Sequence, residues 1–483
     1  MSVRNGQDYI SGLRDSREVY YDGARVNDVT TFPAFQASVQ SLAKLYDMQH
    51  EDEHRELLVT EDKALGCDVG RAFQIPRTLS DLKLKRESYI AWARSNCGMM
   101  GRSPDFLNAM VAALAAKRSF FAEDNDERAD AVVGYYEHVA KNDLFLTHAL
   151  LDPQLDKGKL RHEQSDPGIC LRVIDESSDG IVLHGIKRIA TAAPYADEIL
   201  VWPFPPTFQA GEEDYANVFA VPMDTPGLKT VCRPSFANEG ERKDFPLSSR
   251  FDEMDATVVF NEVLVPWDRV FIYKHIPLLN RMYRDSRMRE LTAHQTNARL
   301  EVKLGFVYAV IQRLLEAQGL ASKPEMMQML GEAAVMIEVI RSTTRSAELQ
   351  AEIDPENNVL YPDLPALQAG RALGPVYYPE MVDMVRRASG GALVQQPVSM
   401  SEFDGPLGKD IEKALRGAAI SGVDKTQLLK IAWDLCGSEF ASRHVLYEMN
   451  YAGERSALLA GIEREYGRKQ HWRDFLDEFL GAL

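Results

Sequence analysis

One fixed cation and two imidazoles sit in segments too idiosyncratic to be filler. Arg102 lies in Gly101-Arg102-Ser103-Pro104-Asp105-Phe106, His148 in Leu146-Thr147-His148-Ala149-Leu150-Leu151-Asp152-Pro153-Gln154, and His294 in Ala293-His294-Gln295-Thr296-Asn297-Ala298-Arg299. An arginine offers a forked, permanently charged donor, and histidine titrates near neutrality. If folding unites them, the three make a pocket that holds an oxyanion. A phenolate is such a group.

The elements that must position them fall into three zones. From 1 to 150 the pattern is helical, with apolar spacing such as Phe106, Met110, Ala113 and Leu114, broken at Gly66, Gly70, Pro76 and Gly101. From 151 to 278 the texture is that of strands: Cys170–Ile174, Gly180–Gly185, Ile199–Trp202, Tyr215–Val221, Ala256–Phe260 and Val263–Val265, with a turn at Ser177-Ser178-Asp179-Gly180. Short strands without intervening helices predict an antiparallel barrel or sandwich. From 279 to 483 long helices return, clearest over 300–318 and 323–353, as in a helical bundle. The fold class is therefore α+β, mostly α: an N-terminal helical domain, a central antiparallel β-domain and a C-terminal bundle. This is the plan of the acyl-CoA dehydrogenase architecture, in which a flavin lies between β-domain and bundle.

Bulk properties narrow the function. The 483 residues carry a net charge of −17, which argues against nucleic acid as a partner. Five cysteines, Cys67, Cys97, Cys170, Cys232 and Cys436, are scattered without metal spacing, so no metal site is expected. No signal-like run opens the chain and no 18-residue apolar stretch occurs, so a cytoplasmic protein without membrane contact is expected. Neither a Gly-x-Gly nor a P-loop is present, so a Rossmann dinucleotide site is not expected and any reduced cofactor must be reduced by another protein.

Against this background the chain resembles the oxygenase component of two-component, reduced-flavin-dependent phenol monooxygenases, the 4-hydroxyphenylacetate 3-monooxygenase and chlorophenol monooxygenase family. The likeness runs nearly end to end. It is carried by Tyr9-Ile10-Ser11-Gly12-Leu13-Arg14-Asp15-Ser16-Arg17-Glu18-Val19-Tyr20, Asp28-Val29-Thr30-Thr31, Gly101 to Asp105, Thr147-His148 with Pro153-Gln154, and Ala190 to Glu198. His294-Gln295, Lys303-Leu304, Gly437-Ser438-Glu439-Phe440 and Tyr451-Ala452-Gly453 complete it. The resemblance implies FADH2 (FMNH2 in some members) delivered by a separate NAD(P)H-using reductase. It also implies O2 activated as a flavin C4a-hydroperoxide, a phenolic substrate and a homotetramer.

The resemblance also implies roles. Arg102 holds the phenolate oxygen, His148 donates to it or to the flavin or accepts the phenol proton, and His294 lies near the reacting flavin. Thr191 bonds the isoalloxazine, and Gln154, Leu155, Asp156 and Lys157 form a flavin-contacting loop. Ser389-Gly390-Gly391 and Asn450-Tyr451-Ala452-Gly453 are candidates for the adenosine or pyrophosphate end. Each has a plainer account: a helix-start ion pair with Asp105, core or surface histidines, a strand threonine, a solvated loop, and glycine helix caps.

Two departures bear on substrate. Phe106 stands where the family has a tyrosine donor, and Pro203-Phe204 where arylacetate hydroxylases carry hydroxyls that hold a carboxylate. An apolar Trp202-to-Pro206 wall pairs a carboxylate poorly, so a phenol without an acetate tail is expected, halogenated, nitrated or alkylated. The loop from Thr207 to Asp214 is expected to cover that pocket. The alternatives are a 4-hydroxyphenylacetate 3-hydroxylase proper, a 4-hydroxybutyryl-CoA dehydratase, which needs cluster-ligating cysteines, and an acyl-CoA dehydrogenase with tightly bound FAD.

Overall fold

The computed structural model describes residues 3–153, 155–205, 207–237, 240–451 and 453–482. Its centre is the helix Met288–Ala317, against which Leu79–Ser95, Pro104–Ala116, Pro324–Leu349 and Leu364–Ser389 all pack. Pro104 opens its helix at the first position, where a missing N–H costs nothing. Residues 104–115 are buried on every side, as expected of a helix whose apolar residues run all round it.

Two sheets form the middle layer. The larger has the order Ala24–Val26, Glu18–Tyr21, Leu228–Cys232, Asp255–Pro266, Gly180–Thr191, Arg172–Glu176. The smaller runs Val270–Ile272, Val218–Pro222, Glu198–Val201, Leu146–Ala149. Most pairs are antiparallel, but Glu18–Tyr20 lies parallel to Lys229–Val231 and Leu146–Ala149 parallel to Glu198–Val201. The first 150 residues thus lend three strands to the sheets, which their helical texture did not announce. The two short runs at 256–260 and 263–265 are one strand with a bulge between Phe260 and Val263, where Glu262 adopts φ 56°. Gly180 is required at its position, since a Cβ there would lie 2.0 Å from the Val265 carbonyl oxygen.

The long helices also shift from expectation. The helix anticipated from 300 begins at Met288, because residues 288–300 are buried on all faces and carry no amphipathic period. The helix anticipated to run to 353 ends at Leu349, where Glu352–Asp354 turns back to pair with Val359–Tyr361. No helix among the described residues is long and apolar enough to cross a membrane.

Candidate active site

The site starts at the tight segment before Pro104. Gly101 admits Tyr447 so closely that a Cβ would stand 2.2 Å from the tyrosine hydroxyl. Arg102 then points into the protein, 8% exposed. Its backbone N–H donates to Glu253 Oε1 at 2.6 Å, and its guanidinium donates to Tyr447 Oη at 2.9 Å and the Tyr451 carbonyl at 3.3 Å. The Phe106 ring lies 4.1 Å below the guanidinium carbon. No carboxylate engages that guanidinium among the described residues, so its charge stays available for an incoming anion.

His148 arrives from the strand Leu146–Ala149, all four of whose residues are buried. Its ring packs edge-on between Phe106 at 5.9 Å and Trp202 at 5.3 Å. Burial, helped by Arg102, pushes its pKa down to about 3. The imidazole is therefore neutral at working pH, one nitrogen a donor and the other an acceptor, and Nδ1 is buried without a partner. The unfolded chain takes up this proton near pH 6.5, while the folded chain refuses it down to about 3, so stability is lost as pH falls through that window. Relative to a folded His148→Gln variant, the wild type should lose about 2 kcal/mol between pH 6.5 and 5. Urea titrations at the two pH values check this; a constant gap between the proteins would refute it.

Trp202 continues into a narrow apolar cleft walled by Trp202, Pro203, Phe204, Leu279, Met282 and Tyr283. The apolar wall anticipated at Pro203-Phe204 is thus a wall of the cleft. The segment after Thr207 is clamped to the helix Ile276–Asp285, which supplies other walls: Phe208 N–H donates to Asn280 Oδ1 and Asn280 Nδ2 to the Phe208 carbonyl, both at 2.9 Å.

His294 sits apart from this pair. Its Nε2 is 2.8 Å from Glu348 Oε1, which also accepts from Arg86 Nε at 2.8 Å, and its ring meets Tyr89 edge-on. Burial lowers its pKa against the pull of Glu348. Among the described residues no hydrogen bond or ring contact joins it to Arg102 or His148, although its neighbour Gln295 lies near enough to Asp105, on the helix that follows Arg102, to favour that carboxylate's charge. Its Nδ1 is buried and unpartnered.

The other anticipated residues divide by surroundings. Thr191 is buried, its hydroxyl donating to Asp255 Oδ1 at 2.7 Å while its carbonyl accepts from Thr147 Oγ1 at 2.6 Å. Leu155, Asp156 and Lys157 form an exposed loop pinned by Gln164, which accepts from Asp156 N–H and donates to the Asp156 carbonyl. Ser389 spends its hydroxyl on the Val385 carbonyl, and Gly390 ends the helix with φ 54°. Gly391 follows in open space. Asn450 is exposed and bonds the Leu446 carbonyl, Tyr451 is half-buried with its hydroxyl buried and unpartnered, and Gly453 lies against Phe204. Gln154 and Ala452 lie outside the described residues.

Sequence reasoning missed the scaffold behind Arg102. Glu253 takes the Arg102 N–H with one oxygen and Arg443 with the other at 2.9 Å. Arg443 also holds Asp255, the acceptor for Thr191. Burial works against the Asp255 charge, but Arg443 and Arg233 outweigh it and keep the carboxyl well below its usual range. One ionic chain thus ties the Arg102 segment, the sheet and the C-terminal helix together. Its only trace in sequence is the four-residue spacing of Arg443, Tyr447 and Tyr451.

A flavin ring presents several carbonyl and N–H groups, and buried polar atoms without partners occur on these same elements: His148 Nδ1, His294 Nδ1, Gln295 Oε1, Asn297 Oδ1 and Tyr451 Oη. Such a donor and acceptor set fits the ring. A cluster held by cysteines does not fit, because the five cysteines are free and none joins a metal-ready group among the described residues.

Comparison with known proteins agrees. The 4-hydroxyphenylacetate 3-hydroxylase N-terminal profile matches residues 5–272 and the C-terminal profile residues 279–481. The 4-hydroxyphenylacetate 3-monooxygenase oxygenase component of Thermus thermophilus is 38% identical over 99% of this chain and 98% of its own length. The oxygenase component of 4-nitrophenol 2-monooxygenase from a Rhodococcus species is 33% identical over 94% of this chain and 86% of its own. Among solved structures, the FAD complex of the oxygenase component (HpaB) of 4-hydroxyphenylacetate 3-monooxygenase superposes with a TM-score of 0.94 at 37% identity, covering 99% of both chains. A 4-hydroxybutyryl-CoA dehydratase from N. maritimus, 20% identical with a TM-score of 0.89 over 100% of this chain and 96% of its own, shares the fold alone. The chain belongs to the 4-hydroxyphenylacetate 3-hydroxylase (HpaB) family and is the oxygenase component of an FAD-dependent monooxygenase.

Proposed function

We propose that this enzyme hydroxylates a phenol bound as its anion, with the phenolate oxygen on Arg102. The observation that supports this most is a buried guanidinium with no carboxylate partner among the described residues, beside a neutral imidazole whose ring packs on Trp202, a wall of the apolar cleft. Neutral His148 donates to the same oxygen; with its pKa pushed down to about 3 it is too weak a base to keep the phenol proton, which is lost to solvent before the ring is enclosed. Held as phenolate, the ring is electron-rich and open to electrophilic oxygen. The reduced flavin, when bound, supplies oxygen in transferable form. Thr191 and the unpartnered atoms of His148 and His294 would hold its ring, and the Leu155–Lys157 loop, the Ser389–Gly391 cap and the Asn450–Gly453 segment its remaining parts. The apolar walls keep water from the cleft.

The substrate is a phenol without an acetate tail, since Phe106, Pro203 and Phe204 offer a carboxylate no donor. A separate reductase supplies the flavin, as relatives that are themselves oxygenase components imply, and we read that reductase as NAD(P)H-dependent. We place the domain limits at 1–150, 151–278 and 279–483. Five free thiols suit the reducing cytoplasm. A panel of phenols with chemically reduced FAD and oxygen tests the reading. Hydroxylated product from halo-, nitro- or alkylphenols is expected. Strong preference for 4-hydroxyphenylacetate would end the tail-free substrate, and no product from any phenol would end the whole reading.

Assembly into a homotetramer is part of the same reading. The helix Lys469–Gly481 carries Trp472, Phe475, Leu476, Phe479 and Leu480 on one stripe, each more than half exposed. Such a stripe asks for cover by another subunit. The double variant Phe475→Glu, Phe479→Glu should lower the mass seen by light scattering to dimer or monomer while circular dichroism stays unchanged. A tetramer that survives both charges would remove this helix from the interface.

A further inference from the structure

The buried arginines of the described residues divide by what neutralises them. Arg17, Arg86, Arg289, Arg299 and Arg443 each hold a carboxylate. Arg71 and Arg128 hold none but are wrapped in backbone carbonyls, those of Glu56, Leu57 and Val59 for Arg71 and those of Trp267 and Val270 for Arg128. Two remain. Arg102 is accounted for by the phenolate. Arg371, on the helix Leu364–Ser389 and 7% exposed, is not.

Arg371 donates one hydrogen bond, from Nη1 to Tyr283 Oη at 3.1 Å, and its Nε is buried without a partner. Burial disfavours its charge, but the phenol oxygens of Tyr283, Tyr451 and Tyr447 outweigh that and hold its pKa above the usual arginine value. Tyr447 and Tyr451 are themselves held above their usual range by burial, so they offer dipoles and not charges. The position is specific. Tyr283 walls the apolar cleft and packs on Phe204 at 5.6 Å. The unpartnered Tyr451 hydroxyl lies 3.9 Å from where a Cβ on Gly374, one turn beyond Arg371, would sit. A forked cation with an idle N–H, flanked by two phenol hydroxyls, is built to bind an oxyanion.

We propose that Arg371, with the hydroxyls of Tyr283 and Tyr451, is a second oxyanion subsite, beyond the cleft wall from Arg102, that receives a carboxylate or phosphate group of a bound ligand. The proposal rests on reading the adjoining cleft as the phenol site. Two sources share this chemistry, a carboxylate on the aromatic substrate and a phosphate of the flavin. The first would correct the tail-free substrate; the second leaves it standing.

Flavin-free full-length protein tests this by equilibrium binding of two matched pairs, FMN against riboflavin and 4-hydroxyphenylacetate against 4-methylphenol. In Arg371→Gln the anionic member of one pair should bind about tenfold or more weakly, with its neutral partner within about twofold. The pair that responds names the source. Tyr283→Phe, which keeps the wall and removes one hydroxyl, should shift the same pair in the same direction by about threefold. Equal weakening of anionic and neutral members, or no change in either pair, in protein with wild-type circular dichroism overturns the subsite. Should Arg371→Gln not fold, Tyr283→Phe decides by the same criterion. Wild-type turnover of the phenol panel is read separately, so failure of the hydroxylase reading and failure of the subsite are distinct results.

Discussion

Replacing Arg102 with glutamine should lower kcat/KM for the preferred phenol by about 10²- to 10³-fold, since a buried charge-assisted contact to the reacting oxygen is lost. Arg102→Lys should recover only part, because an ammonium keeps the charge but not the fork that also reaches Tyr447 Oη and the Tyr451 carbonyl. A second readout separates binding from mere structure. A nitrophenol bound to the wild type should show its phenolate absorption band below the pH at which it ionises in water. In Arg102→Gln that band should fade while the fold, followed by circular dichroism, persists. Less of the oxygen consumed should then appear in hydroxylated product. Unchanged kcat/KM together with an unchanged phenolate band would remove Arg102 from the substrate site.

The second large effect concerns stability and lies behind the site. Glu448, fully buried, receives two bonds from Arg299 at 2.7 and 3.0 Å and one from Lys303 Nζ at 2.9 Å. Burial would raise its pKa, but Arg299 and Lys303 outweigh that and take it down to about 2. Lys303 is brought down to about 8, chiefly by burial. Glu448→Gln leaves two buried cations facing a neutral amide, which should cost about 3–5 kcal/mol. Urea unfolding should show this as a lower midpoint with the slope unchanged. Adding Arg299→Met and Lys303→Met should return most of the loss, because the charges then vanish together. The sign of the pH effect follows. With the folded pKa below the unfolded one, the contribution of Glu448 is present above about pH 4.5 and lost as pH falls toward 2. A Glu448→Gln protein as stable as the wild type would show the triad to be energetically idle.

Much of the architecture was legible because it depends on local pattern. The order of helices, sheets and helices follows from periods of 3.6 and 2 that neighbouring residues display. The segments around Arg102 and His148 stood out because Pro104 and Pro153 restrict the backbone there and Gly101 frees it. What failed to show has one cause. Residues 288–300 are buried on all faces and so have no period, which hid the first turns of the central helix and the setting of His294. Strands such as Glu18–Tyr21 pair with partners some 200 residues away, a choice no local window contains.

The amino-acid sequence alone pointed to the class of chemistry, since its family-like segments are those of flavin-dependent oxygenase components. Only the tertiary structure decided which cations remain unpaired. It gave Arg299 and Arg443 to Glu448, Glu253 and Asp255, set His294 on Glu348, and left Arg102 and Arg371 without a carboxylate among the described residues. Availability of a charge depends on which oppositely charged group reaches it through space. Charge pairing across hundreds of residues is therefore a property of the packed chain and not of its order.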